Sequence, residues 1–220
     1  MPLKPLGQCR LYGFVDEAYR GNREHEDLAK ALCDGGADII QLRMKGASAA
    51  QILEAAEKIA PVTASSGVHL VINDDLDTAA QLDNSFVHLG QEDFFDSGHQ
   101  HVRELSSKLG KRNLKVGLST HGPEQALRAI KAGADYIAIG PVYATPTKPT
   151  ADPVTLKYVQ WASRNVEVPW FCIGGINFSN LQHVLDAGAQ RICVVSAILK
   201  ASDVEKECAA YRKVLDTYFH

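Results

Sequence analysis

Met1 to Arg10 contain no apolar stretch of the kind a signal peptide needs, and no run anywhere approaches the ~20 apolar residues that span a bilayer. A cytoplasmic location is therefore expected, with no membrane partner. No basic stripe is present to release counterions from phosphates, and the formal net charge is -3, which argues against nucleic acid. Any anionic ligand must then be attracted locally. The five cysteines (Cys9, Cys33, Cys172, Cys193, Cys208) form no C-x-x-C pair and have no histidine at metal-ligand spacing, so they read as buried reduced thiols. No linker or low-complexity stretch divides the chain. Its 220 residues, 45% of them apolar, can bury a full core, so one domain is expected over 1–220, with 1–10 as an N-terminal extension. The oligomeric state stays open, a homo-oligomer included.

What the chain does have is eight short apolar runs, beginning at Leu11, Ile39, His69, Phe86, Lys115, Tyr136, Trp170 and Ile192. Their mean spacing is about 26 residues, room for one strand and one helix. Between them lie helical patterns with recognisable ends. Ser48 can cap a helix that finishes near Pro61, Pro123 to Ala132 carries Ala126, Leu127 and Ile130 on one face, and Asn177 to Ala187 turns Leu181, Val184 and Leu185 inward. Gly36, Gly133 and Gly188 each end a helix just ahead of a strand, a small internal repeat. Phe94 to Gly98 reads as a loop, and Gly140 to Pro153 as a long loop suited to serve as a lid. The expected fold is α/β, a single (β/α)8 TIM barrel.

Nearly every apolar run ends in a polar cluster, and the C-terminal ends of barrel strands are where this fold builds its active site. Gln41, Arg43 and Lys45 lie two apart, which in an extended strand puts all three on one face, where guanidinium and ammonium can grip phosphate oxygens. Asp74 and Asp93 follow neighbouring strands and suit a hard ion such as Mg²⁺, although Asp75, Glu92 and Asp93 compete for that role and Asn73-Asp74-Asp75 also reads as a helix cap. Gly174-Gly175 and Val195-Ser196 match the monophosphate cradle common to many barrels. Thr145, Thr147 and Lys148 sit in the expected lid. His121 is a candidate general base, whereas His69 and His88 lie inside strands and read as structural.

Taken in order, Gln41-x-Arg43-x-Lys45, Asn73-Asp74-Asp75, His88-Leu89-Gly90-Gln91-Glu92-Asp93, Gly117-x-Ser119-Thr120-His121, Gly140-Pro141-x-Tyr143-x-Thr145-x-Thr147-Lys148, Ile173-Gly174-Gly175-Ile176 and Ser196-Ala197-Ile198 span most of the chain. This series resembles the thiamine phosphate synthase family. The resemblance implies that Gln41, Arg43, Lys45, Asn73 and Lys148 hold a pyrimidine diphosphate, that Asp74 and Asp93 bind Mg²⁺, and that Ser119 lies against the pyrimidine. Thr145, Thr147, Gly175, Val195 and Ser196 would hold a thiazole phosphate, and Arg43, Lys45, Lys148 and Ser119 would serve catalysis. Ala144, where the family commonly has proline, and Gln190-Arg191-Ile192-Cys193 depart from the pattern without touching an expected ligand. Two alternatives are a thiazole tautomerase paralogue using His121 and a non-catalytic binder of thiamine precursors.

Overall fold

In the computed structural model, residues 2–83, 86–110, 114–145, 147 and 151–219 are described. Among them, eight strands run in sequence order around a closed barrel: β1 (Leu11–Asp16), β2 (Ile39–Arg43), β3 (His69–Asn73), β4 (Phe86–Leu89), β5 (Lys115–Thr120), β6 (Tyr136–Ile139), β7 (Trp170–Cys172) and β8 (Ile192–Cys193). Each begins at the residue where an apolar run begins. The pairs β1–β2, β2–β3, β5–β6, β6–β7 and β7–β8 are parallel. Strands covered on both faces must be apolar nearly throughout, and all six residues of β1 are buried, Asp16 included.

The chain divides into two compact units, Met1–Phe86 with Val194–His220, and Val87–Cys193. In the first, Ser48 caps the helix Ala49–Ser66 in a full capping box with Gln51. That helix does not stop at Pro61, which lies inside it. Pro61 and Glu57, whose carbonyl loses its donor to the proline, are both exposed, so the lost bond lies on the solvent side and the helix runs on to Gly67. The segment before β1 is tied down by Lys4, whose carbonyl meets His69 Nε2 at 2.6 Å and whose ammonium pairs with buried Asp38. Asp38 also accepts from the Arg10 and Leu11 N–H groups and from Arg212 of the helix Val204–Tyr218.

In the second unit, Phe94 and Phe95 are buried in the helix Gln91–Asp96 rather than in a loop, because this pair supplies the apolar face the short helix needs. A further helix covers Arg103–Lys108. In Pro123–Lys131 the inward stripe is Ala126 and Ala129, three apart, which turns Leu127 outward at 54% exposure. The helix after β7 is Leu181–Asp186, shorter than expected. Asn177 to Asn180 form its approach turn, with the Asn177 N–H donating to Asn180 Oδ1 at 2.9 Å. The repeated helix-ending glycines Gly36, Gly133 and Gly188 have φ of 85°, 83° and 100°, the left-handed region that closes a helix most cheaply with glycine.

Candidate active site

In the first unit the site begins with the β1–β2 register, which sets Asp16 opposite Arg43 and Phe14 opposite Gln41. Strand alternation puts Tyr12, Phe14 and Asp16 on one face. Buried Gln41 donates from Nε2 to the Tyr12 hydroxyl at 2.7 Å, and Arg43 donates from Nη1 to Asp16 Oδ2 at 2.9 Å. β2 ends at Arg43, so Lys45 stands in the following turn rather than on the strand. From there its ammonium pairs with Asp74. Asp74 has a left-handed φ of 63°, which aspartate tolerates, and its Oδ2 accepts from Asn73 Nδ2 at 2.7 Å. The cap expected at Asn73-Asp74-Asp75 belongs to Asp75, whose carboxylate accepts from the Thr78 N–H at 2.7 Å. That leaves the Asp74 carboxylate, 36% exposed, facing Lys45 at the strand end. Val195 is buried just ahead of the short helix Ser196–Leu199, and Ser196 is half-buried.

In the second unit Ser119, half-buried near the end of β5, is held at 2.9 Å by His88 Nε2. His88 Nδ1 in turn meets the Tyr136 hydroxyl at 3.0 Å, and the two rings stack at 5.6 Å. Gly117 makes this chain possible. A Cβ there would stand 2.1 Å from Tyr136 Cζ, so the tyrosine ring occupies the space a side chain would need. His88 is thus more than a structural strand histidine, since it orients a candidate site residue. Asp93 lies exposed in the first turn of Gln91–Asp96, its Oδ2 packed 2.6 Å from where a Cβ on Gly90 would be. Its competitor Glu92 accepts from Gln91 and Gln125 amides.

His121 Nδ1 contacts the Gly140 carbonyl, and because a carbonyl only accepts, Nδ1 carries the proton. Thr145 is half-buried, and its Oγ1 accepts from the Thr147 N–H at 3.3 Å. Lys148 lies outside the described residues. Gly174 and Gly175 have φ of 103° and 66°, and a Cβ on Gly175 would meet the Ala144 carbonyl oxygen at 2.7 Å and Tyr143 Cβ at 2.8 Å. Two backbone hydrogen bonds, Val142 N–H to Ile173 O at 2.8 Å and Tyr143 N–H to Gly174 O at 3.1 Å, tie the loop after β6 to this glycine turn. All five cysteines are free thiols, Cys33 only half-buried and the other four buried. Burial pushes the Cys172 and Cys193 thiols well above their ordinary range, so neither is a nucleophile at neutral pH.

The sequence matches the family model described as thiamine monophosphate synthase over residues 11–198. The chain belongs to the thiamine monophosphate synthase family. Among curated family relatives, the thiamine-phosphate synthase of Thermus thermophilus is 44% identical over 190 residues, covering 86% of this chain and 88% of its own. That of Halalkalibacterium halodurans is 36% identical over 208 residues, covering 94% and 95%. The solved structure of thiamine phosphate pyrophosphorylase from Pyrococcus furiosus superposes with a TM-score of 0.84 at 29% identity, covering 99% of this chain and all of that one. Against this family background, Tyr12, Asp16 and Tyr136 escaped the sequence reading. Alternation along β1 was the available signal, since it turns a buried Asp toward the same face as the strand-end ligands.

Proposed function

We propose that this chain is a thiamine-phosphate synthase, joining a pyrimidine diphosphate to a thiazole phosphate with release of diphosphate. The family match over residues 11–198 carries the reading. Gln41, Arg43, Lys45, Asn73 and Lys148 hold the pyrimidine diphosphate, Ser119 contacts the pyrimidine, and Thr145, Thr147, Gly175, Val195 and Ser196 hold the thiazole phosphate. Among the described residues no three His, Cys, Asp or Glu side chains group as a metal site. Two carboxylates still fit Mg²⁺, a hard ion that completes its shell with water and substrate phosphate oxygens, and Asp74 and Asp93, each exposed after its strand, would supply them. When bound, the ion neutralises charge on the leaving diphosphate.

Ionisation breaks the C–O bond, the electron pair leaving with diphosphate, and the thiazole nitrogen then forms the new C–N bond to the pyrimidinylmethyl cation. Such a step needs stabilised leaving-group charge rather than a strong base, which is why Arg43, Lys45 and Lys148 are the important side chains. Ser119, fixed by His88, orients the pyrimidine. The segment from Gly140 to Pro153, of which 146 and 148–150 lie outside the described residues, would exclude water that quenches the cation. On this reading residues 1–220 are one cytoplasmic barrel domain. A thiazole tautomerase is the second reading, favoured by one observation: the Gly140 carbonyl engages His121 Nδ1 and so leaves Nε2 as the ring nitrogen that can exchange a proton with a ligand. Mixing both substrates with and without Mg²⁺ and measuring diphosphate release decides between them. No Mg²⁺-dependent release from the wild-type chain would refute the synthase reading.

A further inference from the structure

We propose that Asp16 is a positioning residue for diphosphate recognition: its buried carboxylate fixes the Arg43 guanidinium so that the remaining N–H edge meets the ligand. The inference rests on the synthase reading for the identity of that ligand. Asp16 is 1% exposed, and each of its oxygens has a partner, Oδ1 the Ala18 N–H at 3.0 Å and Oδ2 Arg43 Nη1 at 2.9 Å. A carboxylate that deeply buried is expensive without its counter-charge, so Arg43 is held rather than free to sample rotamers. The guanidinium has five N–H donors in a rigid fork, and the bond to Asp16 uses one of them, on Nη1. Among the described residues its other donors meet no protein acceptor, and the side chain keeps 19% exposure. The parallel register, which sets Asp16 beside Arg43 at the ends of β1 and β2, makes this a property of strand pairing rather than of a loop.

Asp16 also caps the four-residue helix Glu17–Arg20, which is the purely structural role an aspartate has at this position. Asparagine caps equally well, so Asp16→Asn keeps volume and cap while removing the charge that holds Arg43. The experiment titrates inorganic diphosphate with Mg²⁺ into the wild type, Asp16→Asn, Arg43→Ala and the double variant by calorimetry, alongside turnover. Asp16→Asn should bind diphosphate roughly tenfold or more weakly, the order of loss expected when a ligand-orienting partner is removed. The apparent KM for the pyrimidine diphosphate should rise while that for thiazole phosphate hardly changes. In the Arg43→Ala background Asp16→Asn should add nothing, because it acts through Arg43. Wild-type diphosphate binding in Asp16→Asn, or an equal loss in both backgrounds, overturns the inference, as does a wild type that binds no diphosphate. If Asp16→Asn does not fold, Asp16→Ser, which also caps, takes its place in the same titration. A wild type that binds diphosphate but shows no turnover defeats the synthase reading alone, and the titrations still decide the role of Asp16.

Discussion

Replacing Gly117 by alanine tests whether the Gly117–Tyr136–His88–Ser119 chain is as tightly built as its distances say. The new Cβ would stand 2.1 Å from Tyr136 Cζ and 2.5 Å from its hydroxyl oxygen. Carbon atoms in contact prefer a separation of about 3.5 Å or more, so the ring must retreat by roughly 1.4 Å. It has little room, because Tyr136 is fully buried, stacked on His88 and edge-on to Phe171, with both centroids at 5.6 Å. Overpacking of that kind costs about 1–3 kcal/mol. Breaking the 3.0 Å contact between Tyr136 and His88 adds about 1 kcal/mol. For a chain of this size a loss of about 2–4 kcal/mol lowers Tm by roughly 5–15 °C. Thermal and urea unfolding measure it, with Tyr136→Leu as the relieving background in which Gly117→Ala should be far milder. A loss under about 0.5 kcal/mol in the wild-type background, the scatter of neutral surface changes, would refute the argument. Turnover of the surviving folded fraction should also fall, since His88 would no longer hold Ser119.

Asp93→Ala should abolish Mg²⁺-dependent turnover yet melt like the wild type, because its carboxylate is exposed at the helix start rather than packed in the core; near-normal activity at limiting Mg²⁺ would exclude the metal role. Asp75→Ala should do the opposite, losing about 1 kcal/mol of stability with its cap to Thr78 while turnover per folded molecule persists. His121→Ala should keep most synthase activity, since ionisation needs no base to start it, and loss of thiazole isomerisation together with a bell-shaped pH profile would instead favour the tautomerase. For Asp38, burial alone pushes the carboxyl up, but the Arg10 N–H, Lys4, the Leu11 N–H and Arg212 outweigh it and hold the group below the ordinary carboxylate range. Its stabilisation is therefore complete above about pH 4 and lost as pH falls through the depressed folded value, so Asp38→Asn should flatten the acid limb of a urea-midpoint profile.

All eight strand starts were legible because a buried parallel strand must be apolar on both faces, and the runs recur at a spacing that leaves room for one helix between them. The strand-end residues were legible too, because Gln41, Arg43, Asn73 and Ser119 are polar types interrupting apolar runs. Periodicity failed where one residue decides between close alternatives. Leu127 is more apolar than Ala129, yet Ala129 lies on the buried stripe with Ala126 and the leucine, one position off it, points outward. Pro61 reads as a stop but sits on the exposed side, where a missing N–H costs little. Gly175 reads as room for a phosphate, whereas its Cβ space is already filled by Tyr143 and the Ala144 carbonyl, so the glycine is required by the protein's own packing whatever ligand it serves.

The residues that were not legible share one physical cause. Tyr12, Asp16 and Tyr136, and the orienting role of His88, carry no ligand-type spacing along the chain; their meaning lies across the sheet. Tyr12 and Asp16 on β1 hold Gln41 and Arg43 on β2, and His88 on β4 holds Ser119 on β5 while itself held by Tyr136 on β6. A sequence gives strand positions but not the register between strands, and a slip of one residue turns each of these side chains to the opposite face. Orientation of the strand-end groups is therefore acquired only when neighbouring strands pair. It follows that substitutions at the orienting residues must couple stability to activity, whereas exposed groups such as Asp93 can lose activity with the fold intact.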